Sequence, residues 1–92
     1  MKISVPYDSD IKKVKGVLGA LLAEEKGVLK ERETNVFVDD LADSAIIIGV
    51  RCYTKQEDFW QVKWRLLENI KLTFDENGIE IPYPKLDVQI RS

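Results

Sequence analysis

The chain has 92 residues, 45% of them hydrophobic and 33% charged, with a net charge of −2. That composition fits one small folded domain and is too apolar for a disordered segment. The 14 basic residues are scattered among 16 acidic ones, leaving neither the basic stripe of a nucleic-acid reader nor a basic amphipathic helix for a membrane surface.

There is no histidine, which removes the commonest general acid or base and the commonest metal ligand. Cys52 is the one cysteine, so no internal disulfide forms. The longest apolar run, Ala45 to Val50, has strand length, far short of the roughly 20 residues that span a bilayer. Lys2, Ile3 and Val5 ahead of Pro6 do not make a signal peptide. Taken alone, the chain is expected to be soluble and not to contact the bilayer. A domain this small buries only roughly 60% of its unfolded surface, so association would be a natural supplement.

Met1 to Tyr7 reads as a first strand, with Ile3 and Val5 alternating against Lys2 and Ser4. Pro6 marks its end or an edge position. Asp8 is the expected N-cap of a helix that carries Ile11, Val14, Leu18, Leu21 and Leu22 at helical spacing. Gly27 is the expected stop, through a positive φ. Val28 to Thr34 is a charged connection. Asn35 to Leu41 alternates around Val36 and Val38 as a second strand, and Ala42-Asp43-Ser44 is a turn. Ala45 to Thr54 is the third strand. Its β-branched Ile46-Ile47-Ile48 run predicts a central position buried on both faces.

Thr54 and Glu57 form a candidate capping box for a second helix running to about Asn77. Phe59, Val62, Leu66, Ile70 and Phe74 make its apolar stripe. Gly78 is its stop, with Ile79 closing back on Phe74 as in a Schellman motif. Ile79-Glu80-Ile81 reads as a fourth strand, broken by Pro82 and Pro84. Leu86, Val88 and Ile90 then alternate with Asp87, Gln89 and Arg91 as a fifth.

The expected fold class is therefore α+β. It is a ferredoxin-like βαββαβ sandwich, two helices on a mostly antiparallel sheet, with an extra C-terminal strand. The expected units are residues 1–84 as the α/β domain and 85–92 as an oligomerisation strand. Two features ask for a partner. Trp60, Trp64 and Leu67 widen the apolar arc of the second helix to roughly 200°, more than one sheet face needs. The tryptophans either wrap the core's edge or meet a neighbouring subunit, where a buried Trp is energetically favoured. The tail strand either joins its own sheet or pairs with copies of itself, with Leu86, Val88 and Ile90 facing inward in a closed ring.

Tyr7-Asp8-Ser9-Asp10-Ile11, Val28-Leu29-Lys30-Glu31 and above all the stretch from Phe74 to Pro84, followed by Leu86-Asp87-Val88, resemble the C-terminal domain of the MscS family of small-conductance mechanosensitive channels. The resemblance covers nearly the whole chain in order. It implies a homoheptamer whose cytoplasmic vestibule has this domain as its lower wall, beneath membrane-embedded upstream domains, on the cytoplasmic side of a bacterial or archaeal membrane. It implies a parallel β-barrel of the final strands, here Leu86 through Arg91, and solute release during hypo-osmotic shock. The family's transmembrane helices and middle β domain do not occur in these residues, so tension sensing and gating are not expected of them.

Charged residues on the connecting segments, Lys30, Glu31, Arg32, Glu33, Asp39, Asp40 and Asp43, are candidates for biasing ion entry at vestibule portals. Their bland reading is a solvated surface. Asp39-Asp40-x-x-Asp43 lacks the glycine and downstream Glu of a calcium loop. Glu24-Glu25 and Asp75-Glu76 sit near helix ends on polar sides. Cys52 reads as a small hydrophobe. No catalytic, cofactor-binding or metal-ligating residue is expected, and no nucleic-acid partner. Two other classes share the topology. A free-standing ferredoxin-like regulatory or ligand-binding domain has little use for the tail strand. An RNA-recognition module would need exposed sheet aromatics and a basic surface.

Overall fold

A computed structural model describes residues 1–81 of the chain. Its elements run β1 (Lys2–Val5), α1 (Ile11–Glu24), β2 (Asn35–Leu41), β3 (Ile46–Arg51), a 3₁₀ turn (Gln56–Asp58) and α2 (Phe59–Glu76). The described sheet is antiparallel, in the order β1-β3-β2. The central position expected for the Ile-rich strand is borne out. So is the α+β class: two helices cover one face of the sheet, in the ferredoxin-like order.

Register explains the layering. Ile3 pairs with Ile48, Val5 with Ile46 and Val36 with Val50, so one pleat face collects β-branched side chains that meet Val14, Leu18 and Leu22 of α1 and Val62, Leu66, Ile70 and Phe74 of α2. β3 is not buried on both faces, as its sequence predicted. Gly49, on its open face, is covered by the ring of Phe37, while Arg51 stays exposed. A register shift between Val38 and Asp40 leaves Asp39 at a bulge, from which it pairs with Lys2 at 3.3 Å.

Helix ends differ from expectation in three places. Asp10, not Asp8, caps α1, its carboxylate accepting from the Lys13 N–H at 3.2 Å. The chain leaves α1 through Glu25 in extended conformation. Gly27 has no positive φ. Its role is close approach, because a Cβ there would lie 2.1 Å from Val62 Cγ2. The Thr54–Glu57 capping box does not form. Thr54 donates to the Lys55 carbonyl, and the 3₁₀ turn leads into α2 without a side-chain cap.

The Schellman end of α2 is borne out. The Ile79 N–H donates to Phe74 O at 2.8 Å, the Gly78 N–H to Asp75 O at 3.3 Å, and Gly78 has φ +70°. This closure buries Ile79 and explains why Ile79-Glu80-Ile81 is not a strand in the structure. The boundary at residue 84, the extra C-terminal strand and Leu86, Val88 and Ile90 lie outside the described residues.

Candidate functional site

The N-terminal half of α2 carries the most conspicuous surface of the described residues. Helical spacing sets Val62, Leu66, Ile70 and Phe74 against the sheet and α1. Trp60 and Trp64, one turn apart, point well away from that stripe and are 58% and 59% exposed. Their ring centroids are 6.0 Å apart, and Phe59 meets Trp60 edge-on at 5.1 Å. The Lys63 ammonium lies 5.3 Å from the Trp60 ring centroid. Leu67 extends the patch. Among the described residues the tryptophans do not wrap the core's edge.

Phe59 departs from the reading that put it in the core stripe. It is the first residue of α2 and is 46% exposed. It lines a groove of about 620 Å³ beside β3, together with Phe37, Cys52, Val62, Arg51 and Lys63. Cys52 packs against the core, and burial raises its thiol pKa.

An ion pair that sequence pattern did not mark fixes α2 against α1. Arg65 donates to both carboxylate oxygens of Glu25, and the Gly27 N–H donates to the same group. Glu25 is only 7% exposed. The Arg65 hydrogen bonds hold its pKa below the usual carboxylate value, although burial pulls the other way. The sequence sets Glu25 on a polar side near the helix end; the structure instead buries its carboxylate, because Arg65 and the Gly27 N–H satisfy it.

Most of the connecting-segment charges are committed to the chain itself. Lys30 Nζ donates to the carbonyls of Glu25 and Val28, at 2.7 and 3.1 Å. Arg32 stacks over Tyr53 at 4.1 Å. Glu33 accepts from Asn35 Nδ2, Asp39 pairs with Lys2, and the Asp40 carboxylate accepts from the Leu41 N–H. Glu31 and Asp43 are exposed. No described helix is long and apolar enough to cross a membrane.

The geometry defines a ferredoxin-like α+β domain with an uncovered aromatic flank on one helix. Residues 1–81 match the family described as mechanosensitive ion channel MscS, C-terminal; the chain belongs to that family. An uncharacterized MscS family protein of Buchnera aphidicola subsp. Baizongia pistaciae is 40% identical over 89 residues, covering 97% of this chain and 32% of that protein. The small-conductance mechanosensitive channel of Edwardsiella ictaluri is 34% identical over 88 residues, 96% of this chain and 31% of that one. The crystal structure of Helicobacter pylori MscS in its closed state superposes with a TM-score of 0.84 at 31% identity, covering 100% of this chain and 37% of that chain. The chain thus spans about a third of the length of the curated relatives it matches.

Proposed function

We propose that this chain is the lower wall of the cytoplasmic vestibule of an MscS-type mechanosensitive channel. It contributes assembly and solute filtering during osmotic shock, not catalysis. The full protein is then a membrane-embedded homo-oligomer, a heptamer on the family pattern, in a bacterial or archaeal cell membrane. The likeness of the whole chain to the Helicobacter pylori channel structure carries this reading.

Within that frame, Trp60 and Trp64 contact a neighbouring copy, which would remove two large indoles from water. Leu86, Val88 and Ile90 form the barrel strand that closes the vestibule floor. Glu31 and Asp43, exposed on connecting segments, are placed to bias ions near portals.

Exchanging this chain for the C-terminal domain of the Helicobacter pylori channel tests the reading. The chimera is expected to insert, assemble and pass tension-activated current in patch recordings. A chimera that reaches the membrane as unassembled subunits would overturn it.

A further inference from the structure

We infer that the groove beside β3 binds a small aromatic carboxylate, its ring among Phe37, Phe59 and Val62 and its charge met by Arg51 and Lys63. The site goes beyond the channel reading and does not rest on it.

The walls follow from local structure. Phe37 of β2 pairs with Gly49 of β3, and glycine lets the ring lie flat where a Cβ would collide with it. Arg51, two residues along β3, shares that sheet face, with its guanidinium carbon 5.9 Å from the Phe37 centroid. The first turns of α2 supply Phe59, Val62 and Lys63, at the i, i+3 and i+4 spacing that puts residues on one side of a helix. Cys52 completes the lining. The groove holds about 620 Å³, inside the range of about 300–1,000 Å³ common for small-molecule sites.

Charge names the ligand. Asp39 also lines the groove, but Lys2 already pairs with it at 3.3 Å. Among the described residues, Arg51 and Lys63 have no carboxylate partner; each leans only on an aromatic ring. The groove therefore keeps two uncompensated cations in a chain whose net charge is −2. Attraction of anions is thus local to this place and not a property of the whole surface. A guanidinium suits a carboxylate's two oxygens, and the half-buried Phe37 and exposed Phe59 offer faces for a flat apolar ring.

The test titrates the whole chain with 2-naphthoate in a calorimeter. Three comparison ligands separate the parts: 2-naphthamide keeps the ring without the charge, octanoate keeps the charge without the ring, and inorganic phosphate is a bare anion. Naphthoate is expected to bind about tenfold more tightly than any of them. At ten times its Kd it should slow alkylation of Cys52 by about tenfold, since only the empty groove leaves the thiol open. Arg51→Gln and Lys63→Gln should each weaken binding by about tenfold and melt like the parent, and Lys15→Gln on α1 should bind as the parent does. Equal affinity for 2-naphthamide, octanoate or phosphate overturns the assignment. So does naphthoate binding that leaves Cys52 alkylation unchanged, which would put the ligand elsewhere, or no binding at all. Each of these outcomes leaves the channel reading standing.

Discussion

Arg65 on α2 grips the Glu25 carboxylate at the end of α1, with Nη2 2.5 Å and Nε 3.1 Å from Oε2. The pair is unequal. The carboxylate is buried and the Arg65 side chain is 53% exposed. The acid therefore depends on the pair more than the base does. Glu25→Ala would strand the Gly27 N–H and lose the tie between the helices, costing about 1–3 kcal/mol. Chemical denaturation of the two proteins at neutral pH measures it.

The same pair sets an acid limb. The folded pKa of Glu25 is lowered chiefly by the Arg65 hydrogen bonds, so folding favours the ionised form. The stability it contributes is full above the unfolded carboxylate value, near about 4.3, and is lost as pH falls through the lower folded value. Unfolding free energy between neutral and strongly acidic pH should fall less steeply in Glu25→Gln than in the parent. Parallel profiles would remove Glu25 from the acid response.

Two glycines make contrasting predictions. At Gly27 an added Cβ meets Val62 Cγ2, a buried side chain, with Arg65 Nη2 3.3 Å away. Gly27→Ala should cost about 1–3 kcal/mol by overpacking. At Gly49 the added atom meets Phe37 Cε2 at 2.4 Å, but that ring is half-buried on the open sheet face and can swing aside. Gly49→Ala should therefore cost less than Gly27→Ala, as paired thermal melts would show.

Trp60→Ala and Trp64→Ala should each change monomer stability by no more than about 0.5 kcal/mol, the usual scale for exposed positions. Their effect should fall on association. Equal losses of folding stability and of association would return both residues to a structural role within the chain.

The periodic parts of this molecule were legible in its residues. β2 has the bounds its alternation indicated, and the Schellman end of α2 follows from Gly78 and Ile79. What failed was local competition. Asp8 and Asp10 both suit an N-cap, and only the geometry of the turn after Pro6 selects Asp10. Thr54 spends its hydroxyl on the Lys55 carbonyl. Phe59 fits the helical stripe, but periodicity does not tell which residue of a stripe stays open to solvent at a helix's first turn. Ile79-Glu80-Ile81 alternates like a strand, yet capping α2 claims Ile79 first. The exposed flank was visible as a wide apolar arc, whereas the Glu25–Arg65 tie joins residues forty positions apart and left no periodic trace.

Light scattering of the intact chain and of a chain ending at residue 85, over a rising concentration series, tests the self-assembly claim most directly. The intact chain should gain mass above 10.6 kDa as concentration rises, and the shortened one should stay near the mass of a single copy. Two preparations that both remain monomers throughout would contradict the account.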